Sequence, residues 1–148
     1  MISDKKINKF EKGLEICAEA IKLFPKQEFF SINKAFFYRK LKKNKEALKI
    51  YKDLIEQFPG DDFIYKNLFE LYCEMGKFKN ALHVCPEDED SFKYLCELCF
   101  KNKDYKTAIE LFDQEDEKSI YCYKQAIRAE RGLIKLGILK EGEIEQKL

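Results

Sequence analysis

Between residues 63 and 75 the apolar side chains Tyr65, Leu68, Phe69, Tyr72 and Met75 recur at steps of three and four, the spacing that gathers them into one stripe of a helix. Gly76 closes that stretch and Lys77 opens the next. Comparable amphipathic stretches lie at 29–41 and 91–100, with a longer one from about 119 to 136. A small residue recurs in similar surroundings, at Gly13, Ala47, Ala81, Ala108 and Gly142, at intervals of 34, 34, 27 and 34, and the last four each follow one of these stretches. Three residues before each lies Phe10, Asn44, Phe78, Tyr105 or Leu139, and four after it lies Cys17, Tyr51, Cys85, Phe112 or Gln146. A second helix beginning near the large residue would carry the small one to a close approach with its neighbour. The unit predicted is helix, tight turn, helix. One pair alone leaves an apolar face uncovered, so neighbours must stack to complete a core.

The 27-residue interval lacks about two helical turns, and the loss falls after Ala81. The second helix there is expected to stop near Val84 and Cys85, because Pro86 and the acids Glu87, Asp88, Glu89 and Asp90 follow. Asp90 or Ser91 is the expected N-cap of the next helix. Leu48, Leu68, Tyr72, Ala81, Leu95, Ala108 and Phe112 are expected in the core.

This pattern resembles the tetratricopeptide repeat. Residues 62–81 carry it in Tyr65, Leu68, Tyr72, Gly76, Phe78 and Ala81; residues 28–61 carry it in Ala35, Tyr38, Ala47, Tyr51 and Pro59, with Asn44 and Leu54 departing from the pattern. Phe92, Leu95, Tyr105, Ala108 and Phe112 carry it in the copy that begins near Glu89. The resemblance implies an all-α solenoid of α-hairpins over 1–148: a partial repeat at 1–27, repeats at 28–61, 62–88 and 89–118, and a C-terminal capping pair at 119–148. It also implies that the first helices line a concave groove for a peptide or helix of a partner protein. Carried over, the groove positions are Phe29, Ile32, Phe36 and Arg39, then Phe63, Lys66, Glu70 and Cys73, then Asp90, Lys93, Glu97 and Phe100. The N-terminal residues ahead of Phe10 are an alternative occupant of that surface. Capture of a C-terminal carboxylate is not expected, since of Ile32, Phe36, Asn67, Asp90 and Tyr94 only Asn67 matches that use of the family. In spacing and in the shortened junction, residues 45–113 are similar to the array of the largest signal recognition particle subunit. Residues 23–78 also resemble the auxiliary subunit of ribosome-bound N-terminal acetyltransferases, and 91–113 resemble anaphase-promoting-complex subunits. The expected role is a non-catalytic scaffold or adaptor subunit.

Composition narrows the alternatives. Three prolines and six glycines among 148 residues supply too little turn chemistry for a many-stranded β protein. Lys+Arg 28 against Asp+Glu 27 gives no overall field for nucleic acid. The first sixty residues are nevertheless basic and the remainder acidic. Arg39, Lys40, Lys42, Lys43 and Lys45 concentrate the basic excess at one turn, and an RNA-associated role for that patch is the alternative of another class. No apolar run approaches the ~18 residues of a membrane span, and the polar N-terminus carries no apolar leader core, so a cytoplasmic protein with reduced cysteines is expected.

Catalytic chemistry finds little footing. His83, the one histidine, falls in the helical column of Lys49 and Glu110 and is expected at the surface, with no nucleophile spaced to it. Cys96 and Cys99 have the spacing of half a zinc site, but a second pair is missing and both fall on an apolar helix face, so core packing is expected. No catalytic residue, metal, cofactor or small-molecule substrate is predicted.

Overall fold

The computed structural model describes residues 2–114, and the expectations that fall on 115–148, including Gly142 and the long capping helix, lie outside them. The described residues form seven α-helices and no strand. The architecture is all-α and repeat-like, as the spacing predicts. The chain divides into two compact units, Met1–Met75 and Gly76–Leu148, and the boundary falls at the turn after the amphipathic stretch 63–75.

The first unit holds α1 (Asp4–Leu23), α2 (Glu28–Lys40), α3 (Asn44–Gln57) and α4 (Asp62–Glu74), each packed on the next. Helix α1 starts six residues ahead of Phe10, because Ser3 caps it by accepting a hydrogen bond from the Lys6 amide. Residues 4–9 are therefore helical, and Ile2, Lys6 and Phe10 stand beside Arg39, Lys40 and Lys42 at the end of α2. Gly13 sits where α1 crosses α2: a Cβ there would lie 2.6 Å from the Phe37 ring, so the small residue is what lets the two rods touch. Ala47, Tyr51, Ile64 and Leu71 are fully buried, and Leu54, Leu68 and Tyr72 complete the core. Leu48, expected beside them, is only half-buried.

Each long first helix ends in a left-handed residue. Lys42 (φ 60) and Gly76 (φ 71) follow α2 and α4, and each stands five residues before a small one, Ala47 or Ala81. After α2 the Lys42 amide donates to the Arg39 carbonyl and the Lys43 amide to the Tyr38 carbonyl, both at 2.9 Å, which satisfies the carbonyls the helix leaves open.

In the second unit α5 (Phe78–His83) packs on α6 (Glu89–Lys101) and α7 (Tyr105–Gln114), which also pack on each other. Helix α5 has six residues. It stops three residues before Pro86, whose ring and missing amide forbid continuation. The N-cap of α6 is Asp88, two or three residues earlier than the sequence suggests. Its carboxylate accepts from the Ser91 amide at 2.7 Å and the Ser91 hydroxyl at 2.8 Å. Lys103 (φ 61) repeats the left-handed turn five residues before the buried Ala108. Phe78, Ala81, Leu82, Phe92, Leu95 and Leu111 form this core together with Cys96 and Cys99, which pack inside as their helix column predicts.

Candidate functional site

Helix α2 has one face that its neighbours leave open. Phe29, Asn33, Phe36 and Lys40 follow one another at helical spacing, while Ile32, Ala35 and Arg39 turn inward. Phe29 is 64% exposed and Phe36 37%, and Phe63 at the start of α4 is 59% exposed. Large aromatic rings in water at these fractions mark a surface that has not been paid off by intramolecular packing. Lys40 holds its ammonium 5.2 Å from the centre of the Phe36 ring, so the basic end of the stripe is joined to its aromatic middle.

The groove positions separate into outward and inward groups. Phe29, Phe36, Phe63, Lys66 and Glu97 are exposed, and Glu70 and Lys93 are partly so. Ile32 and Cys73 are each only 7% exposed, and they belong to the core rather than to a ligand surface. Lys93 pairs with Glu89 at 2.7 Å along α6.

Arg39 differs most from expectation. The repeat register puts it in the groove and the sequence puts it in the cationic turn, yet it is 9% exposed and its charge is compensated internally. Its Nη2 donates to Glu74 Oε1 at 2.5 Å, its Nε donates to Glu74 Oε2 at 3.3 Å, and Nη1 lies 3.6 Å from Glu70 Oε2. A planar fork meeting a carboxylate is the geometry that makes such a burial tolerable. Burial by itself would lower the arginine pKa, and Glu74 reverses that and holds it above the ordinary value. The Tyr51 hydroxyl is buried beside this group without a hydrogen bond of sound geometry. Burial raises its pKa, and Arg39, through a polar contact with the hydroxyl and then through its positive charge, partly opposes the rise. Sequence periodicity could not find this cluster, because its two carboxylates stand one repeat away from the arginine.

Removing Arg39 leaves Lys40, Lys42, Lys43 and Lys45 exposed at the turn, with no carboxylate within ion-pair distance among the described residues. At the same end of the unit, Ile2, Lys6 and Phe10 of the α1 end join Arg39, Lys40, Lys42 and Glu74 around a cleft of about 310 Å³. At the other end of α2 and α4, Glu28, Asp61 and Asp62 share a shallow hollow with Phe58 and Phe63. The Glu28 carboxyl is held above its usual pKa range, first by a hydrogen bond shared with Asp61 and then by desolvation and repulsion. The open face thus runs from an acidic end, over phenylalanines, to a basic end. His83 is exposed on α5. No group of three or more metal-binding side chains is assembled among the described residues.

The tetratricopeptide-repeat family model matches residues 33–61, which span most of α2, all of α3 and the turn into α4. The chain carries a tetratricopeptide repeat. The match covers Ala35 and Tyr38 on α2, Ala47 and Tyr51 on α3 and Pro59 in the turn after it, and Ala35, Ala47 and Tyr51 are buried where the first unit closes. Repeats of this kind serve as protein-interaction scaffolds, and Asn33, Phe36 and Lys40 of the exposed α2 stripe lie within the matched repeat, with Phe29 just ahead of it. No curated protein matches the chain. Among the described residues, no helix is long and apolar enough to cross a membrane.

Proposed function

We propose that this protein is a non-catalytic adaptor that holds a peptide or helix of a partner chain against the open face of α2 and α4. The observation that carries this reading is the exposure of Phe29, Phe36 and Phe63 on neighbouring first helices of one unit. Aromatic anchors flanked by charge are the usual makings of an interface centre and rim. Lys66 and Glu70 extend the same face along α4. The six-residue α5 is the feature that favours a signal-recognition-particle-like assembly at the finer level, where the array would hold a sister subunit. A test uses the full chain as bait in cells, with stoichiometric companions identified by mass spectrometry and compared with a Phe29→Glu/Phe63→Glu variant. A companion retained by the native chain and lost by the folded variant is the expected result. Recovery of the chain without any stoichiometric companion would sink the adaptor reading.

A further inference from the structure

The cleft at the basic end of the first unit has a composition that the aromatic face alone does not explain. Four cations and one carboxylate line it: Lys6, Arg39, Lys40, Lys42 and Glu74. Arg39 and Glu74 neutralise each other within the cleft, and Glu70 adds to that compensation. The charge left for a visitor is therefore that of Lys6, Lys40 and Lys42. The rest of the lining, Ile2 and Phe10, is apolar.

We propose that this cleft docks an acidic segment of a partner protein, with carboxylates on Lys6, Lys40 and Lys42 and an adjoining large apolar side chain against Ile2 and Phe10. The inference rests on the adaptor reading and specifies the chemistry of the partner at one end of the same face. Three features carry it. The lysines come from the start of α1, the end of α2 and the turn after it, so they surround one point instead of fringing a single helix. Lys42 is held in place by a left-handed turn whose amides are bonded back to α2, which fixes its Cα. Lys40 bridges the cleft to Phe36, so an apolar side chain leaving the cleft meets an aromatic surface.

The same geometry argues against a polyanion. A nucleic-acid strand that followed α2 away from the lysines would reach Glu28, Asp61 and Asp62 about 20 Å on, at ~1.5 Å per helical residue, and would be repelled there. A protein segment that is acidic at only one end meets no such conflict. Phosphate also has no use for Ile2 and Phe10.

Fluorescence anisotropy on the full chain tests this with three labelled probes: a 15-residue peptide with a glutamate-rich end and a Leu/Phe centre, the same peptide with lysines replacing the glutamates, and a 15-nucleotide oligouridylate. The acidic peptide should bind, and the lysine peptide should not. A Lys6→Glu/Lys40→Glu variant, with its fold checked by circular dichroism, should weaken the acidic peptide about tenfold or more. Equal binding of the lysine peptide, no binding of the acidic one, indifference to the double variant, or oligouridylate binding as tightly with the same lysine dependence would each overturn the proposal. The natural companion separates the two readings. If it is lost from Phe29→Glu/Phe63→Glu but kept by Lys6→Glu/Lys40→Glu, acidic docking is wrong and the adaptor reading stands.

Discussion

Arg39 and Glu74, 35 residues apart, meet through two parallel hydrogen bonds, Nη2 to Oε1 and Nε to Oε2, that tie the end of α2 to the end of α4. The guanidinium is nearly enclosed, whereas the Glu74 side chain is 46% exposed. The partners are therefore unequal. Removing the arginine frees a carboxylate that water can still reach, while removing the glutamate strands a buried cation with only Glu70 at 3.6 Å. Glu74→Ala should cost about 2 kcal/mol and Arg39→Met about 1 kcal/mol, the latter because methionine keeps the packing of the stem. Urea denaturation of the two single variants and the double variant measures the coupling. A double variant whose loss equals the sum of the singles would contradict the pairing.

Lysine occupies a left-handed backbone at Lys42 and Lys103, at the position where the middle turn uses Gly76. A side chain with a Cβ costs about 1 kcal/mol in that region, and glycine's extra unfolded-state freedom gives back part of the gain. Lys42→Gly and Lys103→Gly should each stabilise the chain by about 0.5 kcal/mol, and Gly76→Ala should destabilise it by about 1 kcal/mol. The denaturation midpoint at unchanged slope is the measurement. A fall in midpoint for Lys42→Gly would show that the lysine makes a compensating contact.

Ala81 is fully buried on α5, a helix with few residues over which to spread strain. Ala81→Trp should cost about 3 kcal/mol by overfilling the contact between rods. Gly13→Leu should act in the same direction on the first unit, since even a methyl would press on the Phe37 ring. A normal melting temperature for either variant would contradict the stacking.

Burial raises the pKa of Tyr51 from its ordinary 10.0 and that of Cys17 from 9.0, with Arg39 and Lys34 respectively opposing. In both cases the folded state favours the protonated form. Their contribution is fully present below the unfolded pKa values and is lost as pH rises through the folded ones. Stability should therefore decline progressively above pH 9. Tyr51→Phe should remove the part of the slope that begins near pH 10 and should be close to neutral at pH 7, because the guanidinium beside the deleted hydroxyl is already engaged by Glu74. Melting curves from pH 7 to 11 decide this, and an unchanged slope would assign the alkaline loss to other groups.

The sequence by itself determined the helices, their pairing rhythm and the shortened α5. Those follow from short-range rules: a stripe at steps of three and four, a proline that ends a helix, and small side chains at a fixed interval where rods must touch. It also placed Phe29, Phe36 and Phe63 on one kind of surface, because outward positions recur with the repeat. Only the tertiary structure decided what happens to charge. Arg39 reads in sequence as one more cation in a basic turn, yet a carboxylate one repeat later takes it inside. Ile32 reads as a groove residue, and packing turns it inward. The cap of α6 likewise fell to Asp88 over Asp90, a choice among neighbouring acids that rests on which carboxylate reaches the Ser91 amide. Helical periodicity is set by each residue and its near neighbours, whereas the fate of a charged side chain depends on which opposite charge, distant in sequence, arrives within about 3 Å of it.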